Sequence, residues 1–164
     1  MIVRPQDYLV RLCPRDNTLY ASQGRTVLAT GRDGFIRGGA DHGLIVHQTR
    51  LLSLHRYLIN GDEPRPVALS NVEQHTWLGY YTALPPGVRE ERDYGSGQME
   101  AVSQQTLELR LSRYVGDGLH EDVDLTNFTQ RRASFTLTLE ADADFADIDE
   151  TKGERRQEGE LTRE

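Results

Sequence analysis

The sequence predicts an all-β fold, an antiparallel β-sandwich built from about ten short strands. Apolar residues hold every odd position of residues 133–141, and polar residues hold the even positions. A strand with this alternation has one buried face and one face in water. Similar short runs recur along the chain, separated by turns that contain glycine. No stretch shows the period of an amphipathic helix over three turns, so no helical layer is predicted.

The first half of the chain contains a predicted hairpin and a predicted central strand. Residues 18–22 and 26–30 flank Gln23-Gly24-Arg25, a short connection suited to a hairpin. Residues 51–59 carry apolar side chains on both faces, which is typical of a strand that lies centrally or between two layers. This run ends at Asn60-Gly61, a dipeptide that favours tight turns.

The second half is predicted to form strands over residues 67–72, 76–84, 105–115, 120–128 and 133–141. In the third of these, Leu107, Leu109 and Leu111 share one face. Gly116-Asp117-Gly118 follows as a turn. Because the last three segments alternate in the same way, we expect them to form an antiparallel meander.

Length, charge and cysteine content restrict the class of protein. The 164 residues predict one domain, with the sandwich over residues 1–150 and a charged, polar tail over residues 151–164. The net charge of −7 disfavours binding to nucleic acid. The single cysteine, Cys13, excludes an intrachain disulfide and indicates a reducing compartment. With neither a signal peptide nor a membrane-spanning run, we expect a cytoplasmic protein that does not bind membranes.

No local motif predicts a catalytic, metal or cofactor site. The histidines lack the HxH and i,i+4 spacings of zinc ligands. An acidic cluster lacks the ligand spacing and glycine of a calcium loop. Acids this close in sequence also rarely face each other across a sugar bond, as glycosidase carboxylates do. We therefore interpret the cluster as a solvated strand exit; its members are Asp142, Asp144, Asp147, Asp149 and Glu150.

Three aromatic residues, Trp77, Tyr80 and Tyr81, lie close together on one predicted strand. Sugar rings stack on aromatic faces, so these residues are candidates for carbohydrate stacking. Alternation along a strand sends about half of such side chains towards the core. Packing in the core is the interpretation that we favour for them.

Five strings, in order, resemble the N-terminal domain of bacterial and archaeal glycogen debranching enzymes of the amylo-α-1,6-glucosidase type. They are Gly34-Phe35-Ile36, the run from Gly43 to Ser53, Leu58-Ile59-Asn60-Gly61, Gly118-Leu119-His120-Glu121, and the run from Ala143 to Ile148 followed by Lys152-Gly153. One departure is Gln48, where the family usually has an acid.

The resemblance implies a supersandwich-like β-sandwich that precedes and packs against a helical-barrel catalytic domain, which carries the catalytic acids. This sequence has no helical repeats, so no catalytic residue carries over. His47, Thr49 and Arg50 are candidates for a contact with the barrel or with the rim of its substrate cleft. An arginine so placed could equally pair with an acid inside the fold.

The resemblance also changes the interpretation of the tail. In the family, the charged region around Arg155 leads into further strands, so we expect the chain to stop inside the sandwich. An incomplete sandwich exposes a strand edge, and exposed edges pair. We therefore expect self-association through that edge or through the face that meets the barrel.

Three functional hypotheses follow. The first is a non-catalytic domain of a glycogen or α-glucan debranching glucosidase, with the catalytic barrel as its partner. The second is a stand-alone carbohydrate-binding module that uses surface aromatics to bind α-glucan. The third is a small enzyme that uses the acids of residues 142–149. A broad apolar face favours the first, an exposed aromatic row the second, and a pocket with two facing carboxylates the third.

Overall fold

The computed structural model describes residues 17–84, 106–129 and 131–153. Cys13 and the predicted tail beyond Gly153 lie outside these ranges. Within them the chain forms eleven strands: β1 (Thr18–Gln23), β2 (Thr26–Gly31), β3 (Ile36–Arg37), β4 (Gly43–Val46), β5 (Thr49–Leu52), β6 (Leu54–Ile59), β7 (Arg65–Glu73), β8 (Thr76–Ala83), β9 (Leu107–Val115), β10 (Leu119–Asn127) and β11 (Leu137–Asp142).

The strands form three antiparallel sheets. Sheet I has the order β1-β2-β4-β5, sheet II the order β10-β9-β8-β7, and sheet III the order β11-β6-β3. Sheet II packs against both of the others, as the two core clusters described below show. The predicted all-β sandwich is therefore confirmed.

Several predicted strands are confirmed. The hairpin of β1 and β2 pairs Gln23 with Thr26 around a two-residue turn in which Gly24 has a φ of 60°. Strands β7 and β8 form an antiparallel pair. Strands β9 and β10 form a regular hairpin, in which the pairing runs from Leu107↔Asn127 to Val115↔Leu119.

One prediction about strand organisation holds only in part, and another is wrong. The run 51–59 is interrupted at Ser53, so that its first residues belong to β5 in sheet I and the remainder forms β6, the central strand of sheet III. The predicted meander also fails at its last step, because β11 pairs with β6 and not with β10. Alternation reveals which face of a strand is apolar, but it does not specify the neighbouring strand.

In the part of the chain that the structure describes, the core has two clusters that share sheet II. The first joins sheets II and III and contains Phe35, Tyr57, Ile59, Trp77, Tyr81, Leu107, Leu109 and Leu111. The second joins sheets I and III to the end of β9 and contains Ala21, Leu28, Ile36, Leu44 and Val115. Strand β9 therefore supplies apolar side chains to both clusters.

Within residues 17–84, 106–129 and 131–153, the helical structure is one 3-10 turn, formed by Glu150–Lys152 after β11. Across the described ranges, no helix has the length and apolar character needed to cross a lipid bilayer.

Candidate functional site

The turn between β4 and β5 has an unusual backbone. His47 and Gln48 have φ angles of 50° and 78°. A two-residue hairpin turn of type I′ requires positive φ at both positions, and Asn-Gly is its preferred sequence. Bulky side chains rarely adopt this region. The His47 backbone N–H donates to the Arg25 carbonyl at 3.2 Å, which ties this turn to the turn between β1 and β2.

Arg50 lies two residues after this turn and is held inside the fold. Its side chain is 9% exposed, and its Nε donates to both carboxylate oxygens of Asp144, at 3.0 and 3.1 Å. Arg50 Nη1 donates to the Gly39 carbonyl at 2.5 Å. Of the two roles that the sequence left open for Arg50, the structure therefore contains the internal ion pair. A Cβ at Gly43 would overlap the Arg50 side chain, so a glycine is needed there.

Backbone contacts fasten the segment around Asp144 to β5. The Arg50 N–H donates to the Ala146 carbonyl at 2.8 Å, and the Ile148 N–H donates to the Gln48 carbonyl at 3.0 Å. Thr49 is half-buried and forms an isolated β-bridge with Asp147. The motif predicted as a rim or interface candidate is therefore also the anchor of the segment that follows β11.

A cleft of about 760 Å³ lies where three hairpin turns converge. We call it the turn cleft; its lining residues are Gln23, Gly24, Arg25, Thr26, Val46, His47, Gly116 and Asp117. Arg25 Nη1 lies 3.4 Å from His47 Nδ1, and both side chains are exposed. Among the residues that the structure describes, the lining of the turn cleft combines a guanidinium, an imidazole, an amide and a single carboxylate. These groups can donate and accept hydrogen bonds to hydroxyls. These described lining residues do not include a pair of facing carboxylates of the kind that glycoside hydrolysis uses.

A second polar group lies deep between sheets II and III. Arg113, 1% exposed, pairs with Glu121 on the neighbouring strand and donates to the Gly34 carbonyl. From β6, the Tyr57 hydroxyl donates to Glu121 Oε1 at 2.5 Å, and His55 Nε2 lies 3.5 Å from the same oxygen. We call Arg113, Glu121, His55 and Tyr57 the core network. It links two sheets and is closed to solvent, which indicates a structural role.

Burial sets the protonation states in the core network. Burial lowers the pKa of His55; the charge of Glu121 opposes this effect, and that of Arg113 adds to it. His55 Nδ1 lies 3.4 Å from Arg113 Nη2, so Nδ1 can accept from Arg113 while Nε2 donates to Glu121. Burial, and then the hydrogen bond to Glu121, raises the pKa of Tyr57 far above its ordinary value. The network thus favours a neutral imidazole and a protonated phenol.

The predicted stacking aromatics are separated by the sheet. Trp77 and Tyr81 are 4% and 0% exposed, and both belong to the core. The Trp77 ring lies 4.9 Å beneath the Arg113 guanidinium, and the Tyr81 hydroxyl donates to the Asp33 carbonyl at 2.5 Å. Their ring faces are therefore not open to a sugar in this conformation. Tyr80 is half-buried on the opposite face of sheet II.

The acidic cluster and the histidines do not form a metal centre in the described ranges, where no three His, Cys, Asp or Glu side chains converge. Asp142, Asp147 and Asp149 are exposed, as expected for a solvated strand exit. Asp144 differs from them because of its ion pair with Arg50.

Sequence reasoning missed the core network, although part of it follows from alternation. The buried face of β9 includes Leu109 and Leu111, and the next odd position is Arg113. Glu121 precedes Val123 and Leu125 on the inner face of β10 and lies opposite Arg113. The alternation pattern therefore places one charged residue at an inward position of β9 and one at an inward position of β10. This placement was the signal from which a buried ion pair could have been predicted.

The comparisons with known proteins identify the family. A family model described as the N-terminal domain of (some) glycogen debranching enzymes matches residues 22–164. No curated protein and no solved structure gives a significant match. Because the family model covers most of the chain, the chain belongs to the family of N-terminal domains of glycogen debranching enzymes.

Proposed function

We propose that this chain is a non-catalytic β-sandwich that packs against and supports the helical-barrel catalytic domain of an amylo-α-1,6-glucosidase type of glycoside hydrolase. The observation that carries the proposal is that charged side chains inside the fold are paired with each other. Arg113 and Glu121 neutralise each other in the core, and Arg50 is bound to Asp144. Among the lining residues of the turn cleft that the structure describes, Asp117 is the one carboxylate, whereas glycoside hydrolysis uses two.

The end of the sandwich that carries the turn cleft is the proposed contact surface. Arg50 and Thr49 fix the start of β5 from inside, which holds the preceding turn in its left-handed conformation. His47 is exposed at the tip of that turn. Strained residues held rigidly at a surface are typical of functional positions. His47 is therefore the proposed contact with the barrel, and Arg50 its positioning residue.

A second function, contact with α-glucan, is favoured by the polar lining of the turn cleft. Arg25, His47 and Asp117 supply donors and acceptors within one open depression. A binding module based on Trp77 and Tyr81 has less support, because both rings are buried. The proposal places the chain in the cytoplasm, where a lone cysteine remains reduced.

The test uses the purified chain and the separately expressed catalytic domain of a glycogen debranching enzyme from the same organism. We expect the chain alone to release no glucose from a limit dextrin, to bind the catalytic domain in calorimetry, and to raise its melting temperature. His47→Ala should weaken this binding at least fivefold without changing the stability of the chain. Val72→Ala, an exposed site on β7, is the matched control and should bind as the parent chain does.

Two results would contradict the proposal. One is hydrolysis by the chain alone that disappears in Asp117→Asn. The other is an absence of binding to the catalytic domain. Titration with maltoheptaose, followed by amide NMR shifts, tests the second function. Shifts confined to residues that line the turn cleft support it, and shifts centred on Tyr80 would favour an aromatic platform.

A further inference from the structure

Two leucines of β11 face the interior of the sandwich and are nevertheless exposed. Leu137 lies opposite Ile59, and Leu139 lies opposite Tyr57. Residues directly opposite in an antiparallel pair share a face of the sheet. Ile59 and Tyr57 are 2% and 6% exposed, whereas Leu137 and Leu139 are 38% and 50% exposed. Val123, which faces inward on β10, is also 38% exposed.

Among the described strands, none pairs with the edge of β11 that lies beside these leucines. The Asn60 N–H donates to the Thr136 carbonyl at 2.9 Å, so Thr136 directs its backbone groups towards β6. Because this direction alternates along an antiparallel strand, Leu137, Leu139 and Ala141 direct theirs away from β6. In the described ranges, β6 is the one strand that pairs with β11. An edge of this kind can accept another strand.

We propose that the edge of β11 pairs with β11 of a second copy of this chain, antiparallel and symmetric about Leu139. A twofold axis there sets Leu139 of one protomer opposite Leu139 of its partner, Leu137 opposite Ala141, and Thr138 opposite Glu140. The inward-facing side chains of the two strands then lie on the same face of one continuous sheet. Both protomers use the same surface, as a closed dimer requires.

Charge selects this register over its alternative. Strand β11 has six residues, and two symmetric registers pair five of them with a second copy. In both registers the backbone groups that point away from β6 face each other; one has its axis at Leu139 and the other at Glu140. In the other register, centred on Glu140, two carboxylates would lie directly opposite and repel. With the axis at Leu139, each Glu140 faces a threonine.

The mass of the chain at increasing concentration tests the proposal. We expect light scattering to give 18.6 kDa when dilute and to approach twice that value when concentrated. Leu139→Lys places a charge on the axis and should raise the dimer dissociation constant at least tenfold. Since Leu139 is half exposed, circular dichroism should show an unchanged fold. Val72→Lys, on the exposed edge strand β7, is the control and should dimerise as the parent does.

Crosslinking gives a second readout. In a Cys13→Ser background, Leu139→Cys should be joined to its copy by a short bismaleimide, and Val72→Cys should not. A chain that stays monomeric when concentrated, or a Leu139→Lys variant that dimerises normally, overturns the proposal. So does Leu139→Lys weakening the binding to the catalytic domain, because that domain would then cover the edge. The proposed function is tested separately by His47→Ala.

Discussion

Arg113→Met removes the cation of the core network and should lower the free energy of unfolding. The substitution deletes the ion pair with Glu121, the hydrogen bond to the Gly34 carbonyl and the stacking on Trp77. The Glu121 side chain is 9% exposed and would be left with only Tyr57 and His55 as partners. Breaking a buried ion pair by removing one partner costs roughly 3–5 kcal/mol.

That loss is a large part of the roughly 5–15 kcal/mol by which a domain is stable, so urea denaturation followed by circular dichroism resolves it easily. The double variant Arg113→Met/Glu121→Gln removes both charges, and the amide oxygen can still accept from Tyr57. We expect it to be more stable than Arg113→Met alone, with a coupling of about 2–3 kcal/mol. Additive losses, or a single-variant loss below about 1 kcal/mol, would refute this account of the network.

Three other perturbations have defined outcomes. Arg50→Met should cost roughly 1–3 kcal/mol, because its partner Asp144 is partly exposed, and should speed amide exchange in the segment after β11. Gly79→Ala should cost roughly 1–3 kcal/mol in urea denaturation, since its Cβ would overlap Trp77, and Trp77→Phe should recover part of that loss. The pKa of His55 is lowered, so the folded state binds fewer protons than the unfolded one. Stability should therefore fall as the pH drops below about 6.5, no more steeply than about 1.4 kcal/mol per pH unit.

Matched controls separate these effects from general damage. Arg110→Met breaks an exposed ion pair with Asp124 and should leave amide exchange after β11 unchanged. Gly118→Ala adds a Cβ that meets no atom within 4 Å and should be neutral. His55→Gln should flatten the pH dependence below 6.5, whereas His120→Gln, at a residue whose side chain is 70% exposed, should not. A pH slope unchanged in His55→Gln would mean that another group carries it.

Local features of the fold follow from the sequence. The face that carries Leu107, Leu109 and Leu111 was predicted from period two, and all three are fully buried. The turn at Gly24 was predicted from its residues, since glycine adopts positive φ without strain. Both predictions depend on neighbours in sequence, for which composition and spacing carry the physical information.

Contacts between residues far apart in the chain do not follow from the sequence. Arg50 and Asp144 are 94 residues apart, and nothing in the acidic run distinguishes Asp144 from its exposed neighbours. The partner of β11 was mispredicted for the same reason, because its alternation suits a pairing with β10 as well as with β6. The exposure of Leu139 could not be inferred either, since an inward apolar side chain is buried only when something covers it.

The position of Trp77 makes the chain its own spectroscopic probe. It is the single tryptophan, and it lies in a slot walled by Gly34 and Gly79, where any Cβ would overlap the ring. Its indole is therefore shielded from water, and the Arg113 guanidinium 4.9 Å away imposes a fixed electric field on its excited state. Emission should thus report two events separately. Replacing Arg113 by an uncharged residue should shift the wavelength of Trp77 emission in the folded chain. Separation of sheets II and III should shift the emission to longer wavelength as water reaches the indole.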